Sequence, residues 1–285
     1  MMNYPKVFIV ILNYNGKEYI KKCLSSVFKI NYPNFEVVVV DNDSNDESLE
    51  LAKASFSKAT FIKNSTNLGY AVGNNVGIRF ALERMADYVL VLNNDTEVDG
   101  GFLEALLEVA ERDNQIGLLS PVIFEEKTRR IWFAGGRINW MRMRTVHSQE
   151  ARTQEWYESD FITGCSMLVR ADVFKKIGLF DEDFFLYWED ADFSFRSKKA
   201  GFKNVVVSSS WVYHAEKSEE HKIIKTYWLV LSGLIFFKKN AKLPVKLWLF
   251  VYMNLRKIKN WLQIALYGDE TAKIVKKAYL DFKKD

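Results

Sequence analysis

The chain has 285 residues, of which 48% are apolar and 27% charged, a composition that excludes a disordered polymer and is ample for a packed core. Its formal charge of +4 excludes the strongly basic balance that would make nucleic acid the default partner. That charge is uneven: residues 1–210 carry 25 basic and 29 acidic side chains, a net of −4, whereas residues 211–285 carry 15 and 7, a net of +8. The two cysteines, Cys23 and Cys165, are too few for a disulfide framework or a Cys-rich zinc site, so both read as core residues of a reducing compartment.

In chain order, four short β-branched runs, Val7–Leu12, Glu36–Val40, Thr60–Lys63 and Tyr88–Leu92, alternate with helical patterns over Glu18–Phe28 and Ser48–Phe56. This alternation predicts βαβ units and a largely parallel sheet covered on both faces. The run Val7–Leu12 is only six residues and leads into a polar turn, so it is no signal-peptide core, and a cytoplasmic chain is expected. Ser44 or Asn45 is the expected cap of the second helix. Each strand ends in a polar cluster, and ligands of open α/β sheets bind outside the carboxyl ends of the strands. Asn13–Gly16, Asp41–Asp46 and Asn93–Glu97 should therefore line one crevice.

Within those clusters, Asp41 stands at a strand tip, where its carboxylate can accept hydrogen bonds from a ligand; Asp43 to Asp46 read as a capped turn. The segment Asn67–Gly77 spaces its glycines every four residues, unlike the Gly-x-Gly-x-x-Gly of dinucleotide folds, and disfavours a nicotinamide cofactor. Such glycines serve either close approach to a ligand or helix–sheet packing. Asp95 follows the apolar strand Tyr88–Leu92 and suits a hard divalent cation, or else caps the next helix. The helical face of Phe102–Ala110 is ordinary core, and residues 125–160 show no sustained period, as expected of a long excursion from the sheet.

Residues 180–196 surround acids with aromatic rings, an environment that raises carboxylate basicity, and Asp190 is the candidate general base. Asp192 and Arg196, four apart, read as a helical ion pair. His214 follows the apolar strand Asn204–Val207 and gains interest only in combination with the acids.

Taken together, Val10–Gly16, Val40–Ser44, Asn67–Tyr70, Leu92–Thr96, Gly178–Glu182 and Trp188–Asp192 with Arg196 resemble the inverting family 2 glycosyltransferases of the GT-A fold. More narrowly they resemble the bacterial and archaeal rhamnosyltransferase-like members, over roughly residues 5 to 215. The resemblance implies an α/β catalytic domain over residues 1–215, with a Rossmann-like, mostly parallel sheet between helices, and a basic, aromatic-rich helical region over 216–285. It implies a nucleotide contact at Asp41, with Asn13, Asn67, Gly69, Asn74 and Asn94 also on the donor side. It further implies magnesium or manganese at Asp95, with His214 as an additional ligand in some members, and Asp190 as the base. Trp132, Trp188 and Glu189 are expected on the acceptor side. Asn93 stands where an Asp-x-Asp pair would have its first acid, and a neutral amide weakens such a metal site.

The implied reaction is a single inverting displacement in which a sugar, best guessed as rhamnose on thymidine diphosphate, moves to a hydroxyl of a glycan or lipid-linked acceptor in cell-surface polysaccharide synthesis. A UDP-hexose donor, a nucleotide-sugar-binding or scaffold protein without transfer activity, and a nucleotidyltransferase are the alternatives. The last lacks its Gly-rich, Arg/Lys-bearing phosphate loop, because the Asn13–Gly16 turn has only Lys17 beside it. From Lys222 to Gly268 there are nine basic residues and no acid, with Trp228, Trp248 and Trp261 interleaved. Its apolar runs fall short of the roughly 20 residues of a span. Peripheral membrane contact at the inner face of the cell membrane is the expectation, with packing on the catalytic domain or on a second subunit as the alternative.

Overall fold

The structure is a computed structural model that describes residues 4–215 and 222–282. In chain order the first half runs β1 (Val7–Asn13), α1 (Ile20–Val27), β2 (Phe35–Asp41), α2 (Ser48–Ser55), β3 (Thr60–Lys63), α3 (Gly69–Glu83), β4 (Tyr88–Asn93), β5 (Thr96–Val98), α4 (Phe102–Arg112) and β6 (Ile116–Glu125). It continues with β7 (Ile131–Phe133), β8 (Gly136–Asn139), β9 (Arg144–His147), β10 (Trp156–Glu158), β11 (Ser166–Arg170), α5 (Ala171–Ile177), α6 (Glu189–Lys199) and β12 (Lys203–His214). Three helices close the chain, α7 (Lys222–Asn240), α8 (Leu243–Tyr267) and α9 (Glu270–Asp281).

The main sheet has the order β10-β12-β6-β11-β4-β1-β2-β3, with β5 on β12 and β7 on β6. Strands β1 to β4 pair in parallel, as the βαβ pattern predicts, while β11 enters antiparallel between β4 and β6. Every residue of β1 but Leu12 is buried, and alternate side chains feed opposite layers. Phe8 and Val10 pack toward α3, whereas Val7, Ile9 and Ile11 pack toward α1 and α4. Burial on both faces is why these strands read as continuous apolar runs.

Two local expectations change. The second helix starts after Glu47, at φ 65°, whose own side chain does not cap it, and the Ser48 N–H donates to Asp46 Oδ1 at 3.1 Å. Ser44 is drawn instead to Asp41, to which its hydroxyl donates at 2.6 Å. The excursion at 125–160 also carries short strands, with β8 and β9 forming a separate two-stranded hairpin. Arg137 and Arg144 alternate there with buried or half-buried neighbours over only four residues per strand, too short a span for a periodic signal.

Helix α7 lies on the core beside the sheet. Phe236 and Phe237 are fully buried in the cluster that includes Phe193 and Val206, and Ser232 Oγ donates to Leu186 O at 2.8 Å. The expected boundary at residue 216 lies outside the described residues. Among the described residues no helix is long and apolar enough to cross a membrane.

Candidate active site

The parallel strands β1, β2 and β4 end in register, Asn13 beside Asp41 and Leu12 beside Asn93, so their polar tips converge. A cavity of about 1110 Å³ opens there, lined on one side by Asn15, Lys17, Asn45 and Asp46 and on the other by Asn93, Asp95, Asp190 and His214. The first group comes from the loops that follow β1 and β2, where the crevice was expected. His147 also lines a second cavity of about 470 Å³ next to the β8–β9 hairpin.

Tertiary pairing brings His214 to Asp95. The antiparallel register of β12 on β5 sets His214 opposite Thr96, and the Ala215 N–H donates to Asp95 O at 2.9 Å. His214 Nε2 and Asp95 Oδ1 then stand 3.2 Å apart. Asp95 Oδ1 and His214 Nδ1 are buried without a hydrogen-bond partner. Two ligands in adjacent octahedral positions, at bonds of about 2.1 Å, would stand about 3.0 Å apart, so this pair fits one hard divalent cation. Among the described residues no cluster of three His, Cys, Asp or Glu side chains could complete such a site, so phosphate and water would have to supply the remaining donors. Asn93 lines the same cavity, with its Oδ1 3.2 Å from the Tyr70 hydroxyl.

Asp190 sits in the first turn of α6 and is presented by an unusual entry. Tyr187 and Trp188 both have positive φ, 65° and 71°, a conformation that costs bulky residues of order 1–3 kcal/mol each and is held only by surrounding structure. Trp188 supplies that hold: its indole N–H donates to Leu229 O at 3.1 Å and its ring packs on Phe236 and Phe237. The Asp190 carboxylate accepts from the Gly164 N–H at 3.0 Å and the Ala191 N–H at 2.7 Å. Burial pushes its pKa up, and those two N–H groups hold part of the rise back. Glu189 beside it is buried, its Oε2 has no partner, and burial with the neighbouring Asp190 charge raises it well above the usual carboxylate range. His147 is lowered by burial to about 4, so its imidazole is neutral at pH 7.

The remaining expected residues divide by burial. Asn13 and Asp41 are fully buried: Asn13 Nδ2 donates to Asp41 Oδ1 at 2.8 Å and to Ser48 Oγ at 2.8 Å, which ties the strand tips together beneath the cavity. Asn94 Nδ2 donates to Asn13 Oδ1 at 2.8 Å and extends that network. Asn67 accepts from the Gly69 N–H, and the neighbouring Tyr70 N–H donates to Phe185 O at 2.7 Å, which links α3 to the acid-bearing loop. Asn74 is fully buried and donates to Tyr70 O. None of Asn13, Asp41, Asn67, Gly69, Asn74 and Asn94 lines the cavity, whereas Trp132, Trp188 and Glu189 do. Trp132 stands edge-on to His214 at 4.8 Å and to His147 at 4.7 Å. The expected Asp192–Arg196 pair forms at 2.7 Å, and the same guanidinium donates to Ile177 O and Leu179 O.

The glycine spacing of α3 resolves toward packing at two positions. A Cβ on Gly73 would meet Leu12 at 2.6 Å, and one on Gly77 would meet Val10 at 2.4 Å. The segment Thr163–Gly164 was not legible in the sequence. Gly164 donates to Asp190 and accepts from the Tyr70 hydroxyl at 2.7 Å, and a lone Gly before a strand is the only trace it leaves.

The family description "Glycosyl transferase family 2" matches residues 8–178. The chain is 25% identical over 288 residues to a low-salt glycan biosynthesis hexosyltransferase of Haloferax volcanii, covering 91% of this chain and 88% of that one. It is 28% identical over 230 residues to an N-acetylglucosaminyl-diphospho-decaprenol L-rhamnosyltransferase of Mycobacterium tuberculosis, covering 72% and 75%. Among solved structures, GalNAc-T7 with UDP, GalNAc and Mn2+ superposes with a TM-score of 0.67 at 18% identity, over 84% of this chain and 48% of that longer one. At that identity the likeness is one of fold, and the fold is GT-A.

Proposed function

The chain belongs to glycosyl transferase family 2, and on that premise we propose an inverting glycosyltransferase that moves a hexose, with rhamnose the first candidate, from a nucleoside-diphosphate donor to an acceptor hydroxyl. One observation carries the reading: a base-like carboxylate, Asp190, and a cation-ready pair, Asp95 with His214, face a single cavity at the carboxyl ends of β1 and β4. The rhamnosyl and hexosyl relatives support the sugar class, and the lipid-linked name of the mycobacterial relative supports a lipid-linked or glycan acceptor of cell-surface polysaccharide.

In this mechanism the nucleotide lies against the loops bearing Asn15 and Asn45, while Asn13 and Asp41 act from below by holding those loops in place. A divalent cation held by Asp95 and His214 would neutralise charge on the departing diphosphate. Asp190 Oδ accepts the acceptor's hydroxyl proton as that oxygen bonds to the anomeric carbon and the bond to the diphosphate breaks. Configuration inverts, the nucleoside diphosphate leaves, and Asp190 later passes its proton to water. Trp132 and the neutral His147 ring form an uncharged wall suited to a sugar face.

The test is Asp190→Asn with a panel of TDP-rhamnose, UDP-hexoses and GDP-mannose. Release of nucleoside diphosphate should fall by about 10²–10⁴-fold, the usual worth of a general base, while donor binding persists. An unchanged turnover would remove Asp190 from the role of base, and a protein that binds donors without any turnover in its wild-type form would favour the scaffold alternative.

A further inference from the structure

Helix α8 is 25 residues long, about 37 Å, yet only Leu249 and Asn260 on it are buried. Val245 and Leu249 dock it on the core, Trp248 Nε1 donates to Met141 O at 3.0 Å, and Asn260 Nδ2 donates to Ala272 O of α9 at 2.8 Å. At 3.6 residues per turn, those anchors define one side of the helix. The opposite side carries Leu243, Leu247, Phe250, Val251, Ile258 and Trp261, all within about 100° of one another around the helix axis and each between 49% and 72% exposed. Asn254 interrupts the stripe with an amide that donates to Phe250 O. An apolar row of this length on an exposed helix is large for a free surface.

What covers it follows from charge. Lys246 and Lys257 fall along one border of the stripe, Arg256 and Lys259 lie toward the anchored side, and there is no acid between Lys222 and Gly268. A second copy placed on the stripe would bring these same cations together with nothing on the helix to neutralise them. An anionic bilayer surface meets both features, because acyl chains receive the apolar row while flanking Lys stems reach phosphate headgroups. We propose that α8 is an interfacial helix that lies in the surface of an anionic phospholipid membrane. Its anchors tie that surface to the acceptor wall. Met141 and Arg142, the turn of the β8–β9 hairpin, contact Trp248 and Tyr252, and the same hairpin contributes Thr145 and His147 to the cavity. A lipid-linked acceptor would thus be presented from the plane in which α8 lies.

The experiment uses the full chain and reads binding alone, so its outcome is independent of transfer activity. Flotation is measured with vesicles of phosphatidylcholine and with vesicles containing about one third phosphatidylglycerol. The expected result is partition to the anionic vesicles at least about tenfold above the neutral ones, weakened by salt. Leu247→Glu with Ile258→Glu should abolish it, and Lys246→Gln with Lys257→Gln should reduce the preference for anionic lipid while leaving weak binding to both. Absence of flotation by the wild-type chain would overturn the proposal. So would a dimer in analytical ultracentrifugation that the two Glu substitutions dissociate, since the stripe would then be a subunit interface.

Discussion

At the scale of single residues, chemistry and burial have to be separated. Asp95, Asp190 and His214 are reactive types that the fold leaves facing a cavity, whereas Asn13 and Asp41, equally prominent as strand-tip polar residues, are turned inward and satisfied by each other. Glu189 is the clearest energetic case. Its folded pKa is raised by burial and by Asp190, so its contribution to stability is complete below the unfolded value near 4.3 and is lost as pH rises through the higher folded value. Glu189→Gln cannot ionise and should melt with the wild type at about pH 3.5 but above it at pH 7.5, each kcal/mol appearing as about 2–4 °C in Tm. Equal Tm values across that range, followed by differential scanning fluorimetry, would sink the assignment of a penalised buried carboxylate. Strand ends and aromatic surroundings mark Asp95 and Asp190 in the sequence; the inward rotation of Asp41 leaves no mark there, because it depends on the neighbouring β1 register.

At the scale of elements, the sheet was legible and its edges were not. Val7–Asn13 and Tyr88–Asn93 announce themselves because both faces of a parallel strand are buried and the apolar run has no gaps. Strands β7 to β10 are only three or four residues long, below the length at which alternation can be told from chance. The glycines of α3 illustrate how an element-level question is settled by contact. Gly77→Ala should place a methyl against Val10 and Val40, both held in the sheet, and cost about 1–3 kcal/mol without altering the cavity. Chemical denaturation measures the loss, and a neutral result would mean that α3 can lift away from β1 at no cost. The strained Tyr187–Trp188 entry to α6 shows the converse dependence. Its positive φ angles are compensated by α7, an element more than thirty residues later in the chain.

At the scale of the whole molecule, the cavity is assembled from stretches far apart in the chain, among them the β1 and β2 loops, the end of β4, the α6 entry and the end of β12. A ligand that spans them binds only the folded chain and must raise its stability. A nucleoside diphosphate at about 100 times its Kd should add about 2.7 kcal/mol, or roughly 5–11 °C in Tm, and manganese should enlarge that shift. Asp95→Ala should remove the metal-dependent part and keep the remainder. Thermal shift with UDP, TDP and GDP checks this, and no shift with any nucleotide at saturation would count against a donor site here.

The amino-acid sequence by itself determined the fold class and the order of the polar strand tips, because periodicity and strand-end chemistry are properties of neighbours along the chain. It also set the charge contrast between the two ends. The tertiary structure decided which of those polar residues face the cavity. It paired His214 with Asp95 across the β12–β5 register, recruited Gly164 and Tyr70 to the acid loop, and turned the apolar side of α8 outward while the C-terminal half of α7 was buried. Each of these is a contact between segments far apart in sequence, and burial, which sets both pKa and exposure, is defined only once such segments meet.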